Sequence, residues 1–263
     1  MNTLLKSPGG KARIADWIID HFPINYKVYC EPFFGSGAVY FHLAPIPFET
    51  INDISGDVVN LFRVCRDFPD ELARVIALTP FSREEYMNCY EQTEEPIERA
   101  RRTLVRFHQS FATAARSKNS WRNVQTSSGP CVTKAWNALP VIIGEVACRL
   151  KNTQIENIDA LELIRRYDSP DTLLYLDPPY PLSIREKNMY RHEMTDEQHI
   201  ELLELVKKSK SKIILSSYDN ELYNTALQGW ETDTKSTIAQ FGLQRTEKLY
   251  MNFQPPLLAL SMK

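Results

Sequence analysis

The chain has 263 residues, 43% of them hydrophobic and 24% charged, with 31 Lys and Arg against 33 Asp and Glu. This is the balance of a soluble globular enzyme, long enough for one large domain or for a core domain carrying an insertion. No stretch approaches the roughly 20 apolar residues needed to span a bilayer, and Met1–Lys11 has no apolar block long enough for a secretory signal. A cytosolic protein with no membrane partner is therefore expected. The five cysteines, Cys30, Cys65, Cys89, Cys131 and Cys148, are odd in number, scattered and free of any C-x-x-C pair. They argue against a disulfide framework and against a zinc site, so reduced, mostly buried thiols and no metal are expected.

In chain order, Lys11–His21 reads as a helix and Tyr26–Cys30 as a short buried strand. That strand runs into Glu31-Pro32-Phe33-Phe34-Gly35-Ser36-Gly37-Ala38-Val39. Two glycines one residue apart at a strand-to-helix turn let the backbone approach a ligand closely. A dinucleotide site would add a third glycine at position 40, where Tyr40 stands. With the acidic Glu31, this suits a nucleoside ligand lacking a pyrophosphate; a purely structural turn would meet the same pattern. The next strand, Glu49–Asn52, leads to Asp53, 16 residues beyond Gly37. A carboxylate there would accept hydrogen bonds from both ribose hydroxyls of a nucleoside. Its alternative role is to cap the helix predicted over Asp57–Asp67.

From about Thr79 to about Leu150 the strand–helix alternation stops. The stretch is more helical or irregular, opens near a Ser82–Glu85 capping box, and holds the loop-like Gln125–Thr133. Between Arg99 and Gly144 there is no acidic residue, yet Arg99, Arg101, Arg102, Arg106, Arg116, Lys118, Arg122 and Lys134 fall there. Such a segment fits a polyanion contact, and equally a solvated helical face paired with acids elsewhere. Phe107, Phe111, Trp121 and Trp136 interleave with these cations, as core residues or as stacking platforms.

Alternation resumes with a strand at Gln154–Asn157, a helix at Asp159–Arg166 and a strand at Thr172–Leu176. The last runs into Asp177-Pro178-Pro179-Tyr180. A carboxylate at the C-terminal end of a parallel strand stands where ligands sit. Two prolines fix the backbone and leave carbonyl acceptors without N–H donors. Such acceptors can take both hydrogens of a planar amine and localise its lone pair, while Tyr180 stacks on the ring. Pro181–Glu193, with Arg185, Lys187, Tyr190 and Arg191, reads as a polar lid. A capping box at Thr195–Gln198 opens the helix Asp196–Lys208, and His192 and His199 flank it in surface or helix-end roles. The strand Lys212–Ser216, the helix Asn220–Leu227 and a closing hairpin of Lys248–Phe253 with Leu257–Met262 complete the chain. The alternation implies a parallel sheet with helices on both faces.

These segments, in this order, resemble the Dam-type (alpha-group) family of DNA adenine N6-methyltransferases. The resemblance begins at Lys6-Ser7-Pro8-Gly9-Gly10-Lys11, similar to the family's K-W-x-G-G-K, and continues through Glu31–Gly37, Asn52-Asp53-Ile54 and Asp177–Tyr180. It implies an α/β fold: a Rossmann-like sheet at 1–78 and 151–263, with a small, mainly helical target-recognition domain inserted at 79–150. It implies S-adenosylmethionine as cofactor, with Ser7, Lys11, Asp53 and Asp177 at the family's cofactor positions. Glu31, Gly35 and Gly37 join them from the glycine turn. Asp159 stands where the family often has an acidic residue near the cofactor's adenine, or else caps its helix. Ser7 departs from the family's Trp. The catalytic motif is Asp177, Pro178, Pro179 and Tyr180, acting on an adenine flipped out of the duplex.

Double-stranded DNA is the expected partner of a monomeric enzyme. Arg116, Lys118 and Arg122 would meet phosphates; Asn123, with Asn119 and Gln125, would read base edges. Relatives acting on protein glutamine carry Asn-Pro-Pro-Tyr and those acting on cytosine often carry Ser, so Asp177 favours adenine. RNA as substrate, and an inactive DNA-binding relative, stay as alternatives.

Overall fold

The computed structural model describes residues 2–5, 11–111, 121–123, 131–181, 193–238 and 244–256. Ser7, Arg116, Lys118, Asn119, Gln125, the lid cations, His192 and Leu257–Met262 lie outside the described residues. In chain order the elements are a 3-10 turn Lys11–Arg13, α1 Ala15–Asp20, β1 Val28–Glu31, α2 Ala38–His42, β2 Phe48–Asn52 and α3 Gly56–Asp67. There follow α4 Pro69–Leu78, α5 Arg83–Asn88, α6 Pro96–Gln109, α7 Val132–Asn137, α8 Leu139–Leu150, β3 Thr153–Glu156 and α9 Ala160–Arg166. The last are β4 Thr172–Leu176, α10 Asp196–Lys208, β5 Lys212–Tyr218, α11 Glu221–Ala226, β6 Glu231–Ile238 and β7 Gln244–Met251. The helix expected over Lys11–His21 is split, because Ile14 leaves helical geometry at φ −124°, ψ 8°.

The sheet order is β3-β2-β1-β4-β5-β7-β6. β1 pairs in parallel with β2 and β4, and β4 with β5, whereas β7 runs antiparallel to both β5 and β6. The sheet is thus parallel at its centre and antiparallel at one edge. The predicted closing hairpin is corrected: β7 turns back onto β6, through pairs from Glu231↔Met251 to Ile238↔Gln244. Pro255 and Pro256 lie past the end of β7, where their missing N–H groups no longer interrupt a ladder.

Two compact units make up the chain. One comprises Lys11–Phe34, Ala38–Ile54 and Glu156–Lys263; the other comprises Met1–Gly10, Gly35–Gly37 and Ser55–Ile155. In the first, strand alternation sends Cys30, Leu174, Leu176, Ile213, Leu215 and Tyr250 to one face. There they pack against Leu161, Leu163 and Ile164 of α9, Leu202, Leu203 and Val206 of α10, and Tyr223 of α11. On the opposite face Phe22, just past α1, sets its ring 5.9 Å from Tyr29 and 6.5 Å from Tyr175. Burial on both faces explains why β4, after Thr172, runs Leu-Leu-Tyr-Leu with no polar alternation. α1 is tied to the far edge of the sheet. Asp233 of β6 takes His21 Nε2 at 3.0 Å and Trp17 Nε1 at 3.3 Å.

In the second unit α3 packs on α4, α6 and α8, and α4 packs on α6 and α8. Leu61, Phe62, Val64, Leu72, Ile76, Leu104, Ile143 and Val146 form its interior. The Cys65 thiol donates to the Ile143 carbonyl at 3.4 Å. Trp136 is buried there and donates from Nε1 to the Thr79 carbonyl at 2.9 Å, a core role rather than a stacking platform. Cys30, Cys65 and Cys89 are buried, while Cys131 and Cys148 are exposed.

The α10 N-terminus carries a complete capping box: Thr195 accepts from the Gln198 N–H, and Gln198 accepts from the Thr195 N–H. Thr195→Ala is expected to lower unfolding free energy by about 1 kcal/mol, read as the urea midpoint with an unchanged slope. A loss within error of zero would show that the cap contributes nothing.

Candidate active site

Reading outward along the sheet, the chain order reverses between β1 and β4, which opens a crevice at the C-terminal ends of those strands. Glu31 closes β1 and Asp177 follows β4 directly. Ser216 and Tyr218 come from β5, Glu247 from β7, and Lys11 enters from the 3-10 turn. Lys11 is 3% exposed, so its ammonium must find partners inside the protein. It donates to Asp177 Oδ1 at 2.8 Å and to the Tyr180 hydroxyl at 2.5 Å, and lies 3.6 Å from Glu247 Oε1. Asp177 Oδ1 also accepts from the Ser216 hydroxyl at 3.1 Å, and Tyr175 backs Ser216 at 3.2 Å. Tyr180 is buried, with its hydroxyl donating to Glu247 and its ring 4.3 Å from that of Tyr218. Pro178 is buried and Pro179 half-buried.

Asp177 and Glu247 thus stand beside one ammonium, and Glu31 lies within its electrostatic reach. Burial pushes the Glu31 carboxyl well above the carboxylate range. The Asp177 charge adds to the rise, while the Tyr29 hydroxyl at 2.8 Å, a backbone bond from Tyr40 and the Lys11 charge oppose it. Glu247 is also raised, by burial first and by the Asp177 charge, against the pull of Lys11 and Tyr180. Burial thus disfavours the charged form of both carboxyls, and a cation placed beside them would favour it.

Gly35 (φ 51°) and Gly37 (φ 66°) both adopt left-handed backbone in the turn after β1. A Cβ at Gly35 would meet nothing within 4 Å, so conformation rather than space calls for glycine. Asn52, the last residue of β2, clamps the neighbouring loops. Its Nδ2 donates to the carbonyls of Pro32 at 2.9 Å and Ile158 at 3.1 Å, and its Oδ1 accepts from the Ile158 N–H at 2.9 Å. Its own carbonyl accepts from Phe34 at 2.9 Å. Asp53 follows, half-buried; Asn157 donates to its carbonyl at 2.7 Å. The N-cap of α3 is Ser55, not Asp53. Asp159 caps α9, its Oδ1 accepting from the N–H groups of Leu161 at 2.9 Å and Glu162 at 3.1 Å.

In the second unit, four of the described cations of the acid-free stretch are paired. Arg99 and Arg106 hold the two oxygens of Asp57 at 2.7 and 2.8 Å; Arg101 binds Glu85 and Glu98, and Arg102 binds Glu98. Burial pushes Asp57 up, but the bonds and charges of Arg99 and Arg106 outweigh it and leave the carboxyl below its ordinary value. For these four, pairing with acids elsewhere is what the structure shows, on a helical face that is largely covered rather than solvated. Arg122 is half-buried, its N–H donating to the Gln109 carbonyl at 2.7 Å, and Asn123 is exposed. Phe111 is 58% exposed, and the Arg83 guanidinium lies 4.8 Å from the Trp121 ring centre. His199 lies near the N-terminal end of α10, but a surface role is corrected: it is fully buried, with Nδ1 2.9 Å from the Tyr223 hydroxyl. Among the described residues no cluster of His, Cys, Asp or Glu could hold a metal ion, and no helix is long and apolar enough to cross a membrane.

The sequence reading missed Ser216, Asn52 and Glu247. Glu247 had a signal: it shares the inward register of β7 with the buried Leu249 and Met251, where an acid is out of place unless it is paired.

A carboxyl whose folded pKa is raised stabilises the fold below its ordinary value, here 4.5, and loses that contribution as pH rises through the folded value. Glu31→Gln, which cannot ionise, should therefore raise the urea midpoint of the ligand-free protein at high pH and match the wild type near pH 4.5 and below. A midpoint difference that does not vary with pH would refute desolvation as the cause.

A family model described as D12 class N6 adenine-specific DNA methyltransferase matches residues 7–243. The type II methyltransferase M1.LlaDCHI of Lactococcus lactis subsp. cremoris is 27% identical over 234 residues, covering 82% of this chain and 79% of the relative. The type II methyltransferase M.MjaIII of Methanocaldococcus jannaschii is 23% identical over 263 residues, covering 90% of each. The family match takes in the glycine turn, the acidic strand end after β2 and the Asp-Pro-Pro-Tyr segment, and the chain belongs to the D12 class N6 adenine-specific DNA methyltransferase family.

Proposed function

We propose that the enzyme transfers the methyl group of S-adenosylmethionine to the N6 amino nitrogen of an adenine flipped out of duplex DNA. The observation that carries this is the setting of Asp177. Lys11 and Ser216 both bind Oδ1, so Oδ2 is the oxygen for an incoming amine. The carboxyl groups of Asp177 and Glu247 beside Lys11 suit a pocket for a cationic ligand, and the turn at Gly35 and Gly37 suits close approach of a nucleoside. S-adenosylmethionine, when bound, supplies a methyl group on a positively charged sulfur.

The residues that would hold it are Ser7, Lys11, Glu31, Gly35, Gly37, Asp53, Asp159 and Asp177. Asp53 is suited to the ribose hydroxyls; Asp159 has its Oδ1 committed to the α9 cap, so Oδ2 would serve the ligand. Asp177 and the Pro178 carbonyl accept the two hydrogens of the adenine amine and localise a lone pair otherwise spread into the ring. Tyr180, with Pro179, forms a rigid wall of the base pocket. Fixed acceptors act more strongly where water is excluded. An adenine amine inside a duplex lies within the stack, so the base must leave it to reach this site. Arg116, Lys118 and Arg122 would neutralise backbone phosphates, and Asn123 would read a base edge. By likeness to its relatives, the enzyme acts as a type II methyltransferase.

Transfer of labelled methyl from S-adenosylmethionine should occur to duplex DNA and not to RNA or protein. Asp177→Ala should cut that transfer roughly 10³-fold with unchanged circular dichroism; near-normal activity would sink the mechanism. Reversing charge with Arg116→Glu and Arg122→Glu should weaken DNA binding. It should also shrink the slope of log affinity against log salt by about 2. An unchanged slope would take both side chains out of the interface.

A further inference from the structure

Glu247 lies mid-strand in β7, 3% exposed, on the face it shares with Leu249 and Met251. Both of its oxygens are 3.1 Å from the Tyr180 hydroxyl, and Oε1 is 3.6 Å from Lys11 Nζ. Asp177, Tyr175 and Tyr218 lie within its electrostatic reach, and Lys235 of β6 stands opposite it in the sheet register. A lysine ammonium has donors and no acceptor. The Tyr180 oxygen, 2.5 Å from Lys11 Nζ, must therefore meet it with a lone pair, and its single proton must leave on another side. That proton points at Glu247. The direction of the chain is then set: Tyr180 donates to Glu247, Lys11 donates to Tyr180, and Lys11 donates to Asp177 Oδ1.

We propose that Glu247 is a positioning residue for methyl transfer: by accepting the Tyr180 proton it turns the phenolic lone pair to Lys11, aims the ammonium at Asp177 Oδ1, and so reserves Oδ2 for the adenine amine. The role rests on the function proposed above for Asp177. Glu247 itself touches neither base nor methyl donor. Burial, which pushes its carboxyl up, is offset in part by Lys11, as expected of a group held for its partner rather than for packing. A leucine would fill that register without the cost of burying a charge.

The test is a double-mutant cycle on kcat with duplex DNA and S-adenosylmethionine. Glu247→Leu is expected to lower kcat by roughly 10- to 100-fold, with both KM values within about threefold of wild type. Glu247→Gln, which keeps an acceptor oxygen for the Tyr180 hydroxyl, should retain more of the rate than Glu247→Leu. In a Tyr180→Phe background no hydroxyl is left to orient, so Glu247→Leu should cost less than about threefold more. Losses that multiply in the double variant, or that appear in KM alone, would overturn the proposal. If Glu247→Leu does not fold, as judged by thermal melting, Glu247→Gln with Tyr180→Phe is read by the same criterion. Asp177→Ala in the same assay separates the two readings. A rate near wild type defeats the function proposed for Asp177, whereas an inactive Asp177→Ala beside multiplying Glu247 and Tyr180 losses defeats the positioning role alone.

Discussion

The ion pair between Lys11 and Asp177 is the constraint around which the rest of the site is built. A buried ammonium repays its desolvation only where the geometry is good and further bonds satisfy it. Here the pair is 2.8 Å long, with the Tyr180 hydroxyl and Glu247 close to the same nitrogen. The pair fixes which carboxylate oxygen is already committed, and it draws a turn from the start of the described chain against a strand end that lies 166 residues later. Its strength depends on the sheet: β1, β4 and β5 are in parallel register, so Glu31, Asp177 and Ser216 reach the same edge. The apolar packing beneath, Leu174, Leu176, Ile213 and Leu215 against α9 and α10, keeps that edge rigid.

Much of this was legible in the sequence where local signals and burial agree. β4 is buried on both faces and ends at a proline pair, so Thr172–Leu176 is bounded to the residue. α10 is bounded as sharply, because Thr195 and Gln198 close a capping box and Lys207 and Lys208 end the helix. The left-handed turn showed itself through Gly35 and Gly37. β6 did not. Glu231-Thr232-Asp233-Thr234-Lys235-Ser236-Thr237 alternates among polar residues, since it is the edge strand and its order comes from pairing with β7. With β6 unseen, the proline pair after β7 suggested a hairpin on the wrong side. The burial of His199 is not legible either, because its partner, Tyr223, is remote in sequence.

The cationic stretch illustrates the same limit. Its arginines look unopposed along the chain because the acids that face them, Asp57 and Glu85, lie on other helices, and Glu98 lies just before the stretch begins. Asp57 and Glu98 each receive two guanidinium groups. What reads as a basic patch is, over α6, largely an internal network that binds α3 and α5 to α6. Any electrostatic grip on a polyanion therefore falls to fewer cations than the composition suggests.

The antiparallel edge also bears on how the molecule is made. Asp233 of β6 binds Trp17 and His21, 216 and 212 residues earlier, and Glu247 of β7 stands beside Lys11. The first helix therefore gains these partners only once β6 and β7 are in place, and without β7 Lys11 lacks one of its acidic neighbours. Contacts of such long sequence separation form late and slowly. β7 thus serves two ends at once, sending Tyr250 into the core and Glu247 to Lys11, so the strand that closes the core also completes the surroundings of the ammonium.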